Sequence, residues 1–293
     1  MIVQRILVPL DGSRLAEAAL PAAASVAQRL GAEVLLLHVL ERDAPENVHG
    51  EPHLTRAAAA HEYLDAHAEQ LRGQGVEVEE HVHERPVSDV ASALDGHSHE
   101  FAVDLIVMCA HGRTNPLDRA LGTIAERMLR GGSSPILLRT VRRPQDAAFD
   151  VENLLVAIDF GHDVELELDA ARTFAGAYGA PITLLTAPEP ASSTARRLLP
   201  SASALAGEFD EADAGPRLGA YADDLRAGGF ETRAMVAKGE PSSAIVAAAR
   251  SLAWPLIAVI TDAHGGLASW YAPSTLQRLL GTPDLALLLI KEP

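Results

Sequence analysis

A single cysteine, Cys109, rules out an internal disulfide framework and suits a reducing compartment. Aromatic residues make up only 4% of the chain, so its cores must be built from the plentiful Ala, Leu and Val. Basic residues are few beside acidic ones, 24 Lys and Arg against 40 Asp and Glu. The resulting formal charge of −16 repels phosphate backbones and disfavours a nucleic-acid partner. No apolar run approaches the length of a membrane span, and MIVQRILVPLDGS meets a charge at Arg5 before any signal-like segment develops. The expectation is a cytoplasmic protein with no membrane partner.

What is present fits a globular chain: 48% hydrophobic and 22% charged residues over 293 positions, enough for two domains that each bury a core. The chain repeats itself. RILVPLDGS (5–13) has a counterpart in NLLVAIDFG (153–161), with Asp11 on Asp159. At the same spacing RLGAEVLLLHV (29–39) meets AYGAPITLLTA (177–187). Further on, ERPVSDV (84–90) answers GEPSSAI (239–245), and CAHG (109–112) answers DAHG (262–265). A period this long implies two copies of one domain, 1–145 and 146–293, joined through the polar stretch 139–153.

Within each copy apolar runs alternate with helical patterns. In the first, ILVPL, VLLLHV, VEVEEHV, LIVM and ILLR read as strands. Helices are expected from Ser13 to Leu30, Arg56 to Arg72, Val87 to Leu94 and Thr123 to Arg130. Ser13 is a cap residue for the first helix and Gly31 its stop. The second copy has strands at 154–158, 182–185, 232–236, 256–260 and 285–290. Strands without polar alternation, separated by helices, form a parallel sheet with helices on both faces. The last strand of each copy is an exposed edge, and pairing the two antiparallel would hide both within one chain. The proline-bearing stretches 42–55 and 189–215 read as loops.

In such a sheet ligands bind beyond the carboxyl ends of the strands, where strand order reverses. If strands one to three wind outward and the fourth returns beside the first, the reversal lies between Pro9-Leu10-Asp11 and Cys109–Gly112. The stretch CAHGRTNPLDRALGT (109–123) therefore sits where a ligand would, with His111 and Arg113 flanking the first glycine. Gly112 permits close backbone approach, while Gly122 and Thr123 precede a helix whose unpaired amides favour an anion. Asp11 faces the same crevice and can accept from ribose hydroxyls or hold a divalent metal ion. Two glycines alone would serve a merely steric turn equally well. Their coupling to Asp11 and to the sheet favours a ligand.

The N-terminal half resembles a universal stress protein domain of the ATP-binding type. That family's loop reads Gly, two residues, Gly, nine residues, Gly, then Ser or Thr; here it reads Cys109, Ala110-His111, Gly112, Arg113 to Leu121, then Gly122-Thr123. ILVPLDGS, LLLHV and AERMLRGGSSPILL also resemble the family's opening strand, second strand and closing helix and strand. The likeness runs through both halves, so the chain resembles a tandem member. It implies two Rossmann-like domains of the adenine nucleotide alpha hydrolase type, each with five parallel strands. It also implies ATP with Mg2+ or Mn2+. In that pattern Asp11 meets the adenosine moiety and Val39 the adenine through its backbone. Met108 lines the base pocket, and Gly112, Gly122, Thr123 and Ile124 hold phosphates.

The departures set further expectations. Cys109 replaces the first loop glycine, which is costly if that position needs positive φ. In the second copy Asp262 takes the place of Cys109, Pro273 replaces a glycine, and Trp270 and Tyr271 add bulk. That half is expected not to bind ATP and to serve as an intramolecular pseudo-dimeric partner. Cys109 itself reads as a small buried hydrophobe rather than a redox thiol. His81 and His83 alternate on one strand, with His97 and His99 downstream, but no third ligand follows at metal-site spacing. The leading reading is a nucleotide-binding stress or signalling protein acting on protein partners, with a homodimer possible in principle. The rivals are a slow ATP-hydrolysing or nucleotidyl-transfer enzyme, weakened by the lack of a Walker lysine, and a nucleotide-free interaction module.

Overall fold

The computed structural model describes residues 1–48, 50–111, 123–143, 148–187, 211–261 and 273–291. By contacts the chain divides into two compact units, one of Ile2–Asp150 with Leu280–Lys291, the other chiefly Val151–Leu279.

The larger unit is built on β1 (Arg5–Pro9), β2 (Glu33–Glu41), β5 (Val78–Val87), β6 (Leu105–His111) and β7 (Ile136–Val141). These five lie in the order β7-β6-β1-β2-β5 and pair in parallel. The last strand of the chain, β12 (Leu285–Lys291), joins β7 antiparallel, Leu287 opposite Leu138, so the two closing strands pair as their edge character requires. Ile6, Leu7 and Val8 in β1 and Leu35, Leu36 and Leu37 in β2 are wholly buried, which explains their unbroken apolar runs. Strand β5 is the edge on its side and is largely half-exposed.

Helices α2 (Leu20–Leu30) and α3 (Ala57–Arg72) follow the outward-moving strands. Helices α4 (Val90–Glu100) and α5 (Thr123–Gly131) lie in the returning crossovers, β5 to β6 and β6 to β7, and pack on each other. Right-handed crossovers that reverse direction put the two sets on opposite faces. Gly31 ends α2 at φ +68, a left-handed cap.

Three elements differ from the sequence expectation. The first helix breaks into α1 (Arg14–Glu17) and α2, because Pro21 cannot donate to the carbonyl of Glu17 and its ring crowds that turn. The third expected helix, observed as α4, begins at Val90, not Val87, since β5 runs on to Val87 and the Arg42 amide donates to the Val87 carbonyl at 2.7 Å. Asp89 then caps α4 by accepting from the Ser92 amide. The stretch 42–55 holds a small hairpin, β3 (Asn47–Val48) with β4 (Glu51–Pro52).

In the second unit, β8 (Asn153–Ala157), β9 (Ile182–Thr186), β10 (Thr232–Val236) and β11 (Pro255–Thr261) lie in the order β10-β9-β8-β11, all parallel. They alternate with α6 (Val164–Tyr178), α7 (Glu211–Ala227), α8 (Pro241–Arg250) and α9 (Pro273–Gly281). The start of α7 takes in residues 211–215, expected as loop; residues 188–210 lie outside the described residues.

Glu240 caps α8, accepting from the amides of Ser242 and Ser243 at 3.2 and 2.9 Å and from both hydroxyls. Burial pushes its pKa up, but these hydrogen bonds outweigh it and bring the value to about 2. Glu240→Ala is expected to cost about 1 kcal/mol at neutral pH, as for a lost N-cap. Because the folded pKa lies below the ordinary 4.5, this contribution is present above pH 4.5 and fades as pH falls towards 2. Denaturation curves of wild type and variant should converge over that window.

Candidate functional site

Strands β1 and β6 pair only at Ile6–Leu105 and Leu7–Ile106, whereas β6 remains paired to β7 as far as His111. Beyond Leu7 the two central strands part, and the gap opens at their carboxyl ends. This is the reversal point of the sheet, flanked by Pro9, Leu10 and Asp11 on one side and by Met108, Cys109 and His111 on the other.

On the β2 side the Leu10 amide donates to the Leu37 carbonyl at 2.9 Å, the last such bond before the chain turns away at Asp11. Backbone groups two residues apart on a strand point the same way. Those of Val39 therefore face the space that β1 has vacated. Leu10, Val39 and Met108 are all buried.

The turn after β1 is fixed by its own side chains. Asp11 Oδ1 accepts from the Ser13 amide at 2.9 Å and the Ser13 hydroxyl at 2.7 Å, and Ser13 Oγ accepts from the Ala16 amide to cap α1. Among the described residues no donor meets Asp11 Oδ2. Gly12 sits at φ +91, with Leu54 of the hairpin segment packed on it. The Arg14 amide donates to Glu51 Oε2 at 2.6 Å, so this segment is tied to the turn. Buried His38 lies against two carbonyls of the same region, its Nδ1 2.7 Å from Leu10 O and its Nε2 3.1 Å from Leu54 O. Burial lowers the pKa of that ring, against the pull of both carbonyls.

On the opposite wall Thr123 is the first residue of α5 and Ile124, half-buried, the second. Gly112, Arg113 and Gly122, and the side chains of His111 and Thr123, lie outside the described residues.

A model of the universal stress protein family matches residues 3–139 and, a second time, 151–291. The chain belongs to that family. It is a tandem member, its two matches falling on the two sequence copies. No curated protein matches it in sequence. Solved structures do: a universal stress protein from Archaeoglobus fulgidus DSM 4304 is 18% identical, with a TM-score of 0.74 over 99% of this chain and 98% of that one. A functionally unknown protein from Pseudomonas aeruginosa PAO1 is 20% identical, with a TM-score of 0.64 over 99% and 92%. At these identities the likeness is one of fold.

In this universal stress protein Cys109 lies within β6, in register with Arg139, and is not among the described residues at positive φ. Its side chain packs against Leu15, Ala18 and Val141. A Cβ is therefore tolerated at the first position of the loop pattern. Burial pushes the thiol pKa up to about 12, against the pull of Arg139. Cys109 is expected to stay unreactive towards a disulfide reagent at pH 8 and to react at once on unfolding; fast native labelling would contradict that packing.

The second copy differs at its corresponding turn. Phe160 stands where the first has Gly12; it stacks with Tyr221, and the Arg217 guanidinium lies 4.4 Å from the ring centroid. Asp159 is buried, its Oδ1 accepting from the Gly161 amide at 2.9 Å and its Oδ2 lying 3.5 Å from His162 Nε2. Asp262, Trp270 and Tyr271 lie outside the described residues, as do the side chains of Pro273 and Ser274.

Sequence spacing left the histidines without a third metal ligand. The fold supplies one: His81 and His83 of β5 come together with His97 of α4. His99 turns elsewhere, to the Asp95 carbonyl and Ser133.

Proposed function

We propose that this protein binds ATP, together with Mg2+ or Mn2+, in the crevice between the carboxyl ends of β1 and β6, as a cytoplasmic nucleotide-responsive stress or signalling protein. The observation that carries the reading is the parting of β1 from β6 beside a carboxylate with one oxygen committed to its own turn and one that meets no donor among the described residues. Such an oxygen suits a ribose hydroxyl or a hard divalent cation, which takes one or two carboxylates and completes its shell with phosphate oxygens and water. Val39 offers backbone groups for a base edge, and Met108 and Leu10 offer apolar cover. The family's loop pattern assigns the phosphates to Gly112, Gly122, Thr123 and Ile124, with His111 and Arg113 beside them.

The nucleotide acts in this reading by ordering the loops around the crevice, which alters the surface presented to partners. The second copy, with Phe160 filling the place of Gly12, is assigned no nucleotide. Mass spectrometry of the supernatant from heat-treated, freshly purified protein tests the proposal. Co-purified ATP supports it. ADP that accumulates on incubation with ATP favours the enzymatic rival, and absence of nucleotide with no binding at millimolar ATP favours the interaction module.

A further inference from the structure

Strand β5 carries His81 and His83 on either side of buried Val82, so both rings project to one face of the sheet. Helix α4 covers that face and brings His97 to them. One ring nitrogen from each of the three lies within 4.8 Å of the other two. The nearest pair, His83 Nδ1 and His97 Nε2, is 2.9 Å apart, and the His81 and His97 ring centroids are 4.7 Å apart. Phe101 packs on both His81 and His97 and closes one side. Glu100 lies one turn further along α4, its Oε2 2.8 Å from His97 Nδ1.

These contacts fix the chemistry. In the tautomer of His97 that carries its proton on Nδ1, the Glu100 carboxylate accepts that proton and the Nε2 lone pair faces His83. Such a carboxylate–imidazole pair orients a metal-ligating ring and raises its basicity. A hydrogen bond between His83 and His97 satisfies one nitrogen of His83, and its other nitrogen, Nε2, is buried with no partner among the described residues.

We propose that His81, His83 and His97 form a binding site for one divalent transition-metal ion of the zinc class, separate from the nucleotide crevice. Imidazole nitrogen is a donor for zinc and its first-row neighbours rather than for magnesium or calcium. A tetrahedral ion with metal–nitrogen bonds of about 2.0–2.1 Å holds its ligands ~3.4 Å apart. The His83–His97 pair must open slightly and His81 move in, which side-chain rotation supplies. Three protein ligands leave a fourth position for water. The ion ties the edge strand to α4, and because it binds the folded cluster it raises the unfolding temperature by mass action.

The test is titration of metal-free, full-length protein with Co2+ and Zn2+ in the absence of nucleotide. The expected result is one ion per chain, an intense visible Co2+ absorption of tetrahedral type, and displacement of Co2+ by Zn2+. His83→Ala and His97→Ala should each weaken binding more than about a hundredfold, and Glu100→Gln about tenfold. His99→Ala and Asp11→Asn should leave it unchanged. Because His97 is buried and its variant can misfold, His81→Ala, at a partly exposed ring, provides the same readout. Absence of the tetrahedral Co2+ spectrum in the wild type overturns the proposal, as does stoichiometric binding that survives both His81→Ala and His83→Ala.

Discussion

Asp11→Asn is expected to weaken ATP binding by roughly 10–100-fold, with little change in stability. The amide keeps an oxygen in the place of Oδ1, so the bonds from the Ser13 amide and hydroxyl that hold the turn survive. What is lost is the charge and the acceptor at Oδ2, the atom assigned to ribose or metal. Hydrogen bonds to a charged group contribute about 1.5–3 kcal/mol, which corresponds to that loss of affinity. Asp159→Asn in the second copy should leave the ATP affinity unchanged, because Asp159 is buried against its own turn and His162. Calorimetric titration with ATP and Mg2+ reads both variants. Equal losses would contradict the asymmetry between the two halves.

Gly12→Val should destabilise the larger unit by about 2–4 kcal/mol, the sum of left-handed strain and overpacking. At φ +91 a β-branched residue is strained in any surroundings, and a Cβ built there meets Leu54 Cγ at 2.8 Å. Leu54 cannot retreat freely, since its carbonyl lies 3.1 Å from buried His38 and the neighbouring Glu51 is bonded to the Arg14 amide. Gly31→Ala separates the two terms: its φ is +68 but nothing lies within 4 Å of the added Cβ, so only strain remains, about 1 kcal/mol. Urea denaturation measures the difference. A Gly12→Val protein as stable as Gly31→Ala would show that Leu54 does not hold its place on the turn.

The repeat, the strand order at the switch point and the helix stop at Gly31 were legible because each rests on local chemistry or on apolar runs. Other features needed information the local pattern does not carry. The break after Glu17 follows from Pro21, yet the spacing of Ala16, Ala19, Leu20 and Ala23 continues across it and masks it. The extension of β5 to Val87 depends on pairing with Glu41 past an irregularity in register. The packing of Cys109 under α1 depends on where that short helix rests. The third histidine is the clearest case. His81 and His83 are visible as an alternating pair, but His97 joins them only because α4 crosses back over the edge strand.

The most direct test of the account is the number of ATP molecules bound per chain, measured by calorimetry on full-length, nucleotide-stripped protein with Mg2+, in parallel for Gly122→Val and Pro273→Val. The account predicts one ATP per chain, abolished by Gly122→Val and untouched by Pro273→Val. Two per chain, or none at millimolar ATP, would contradict it.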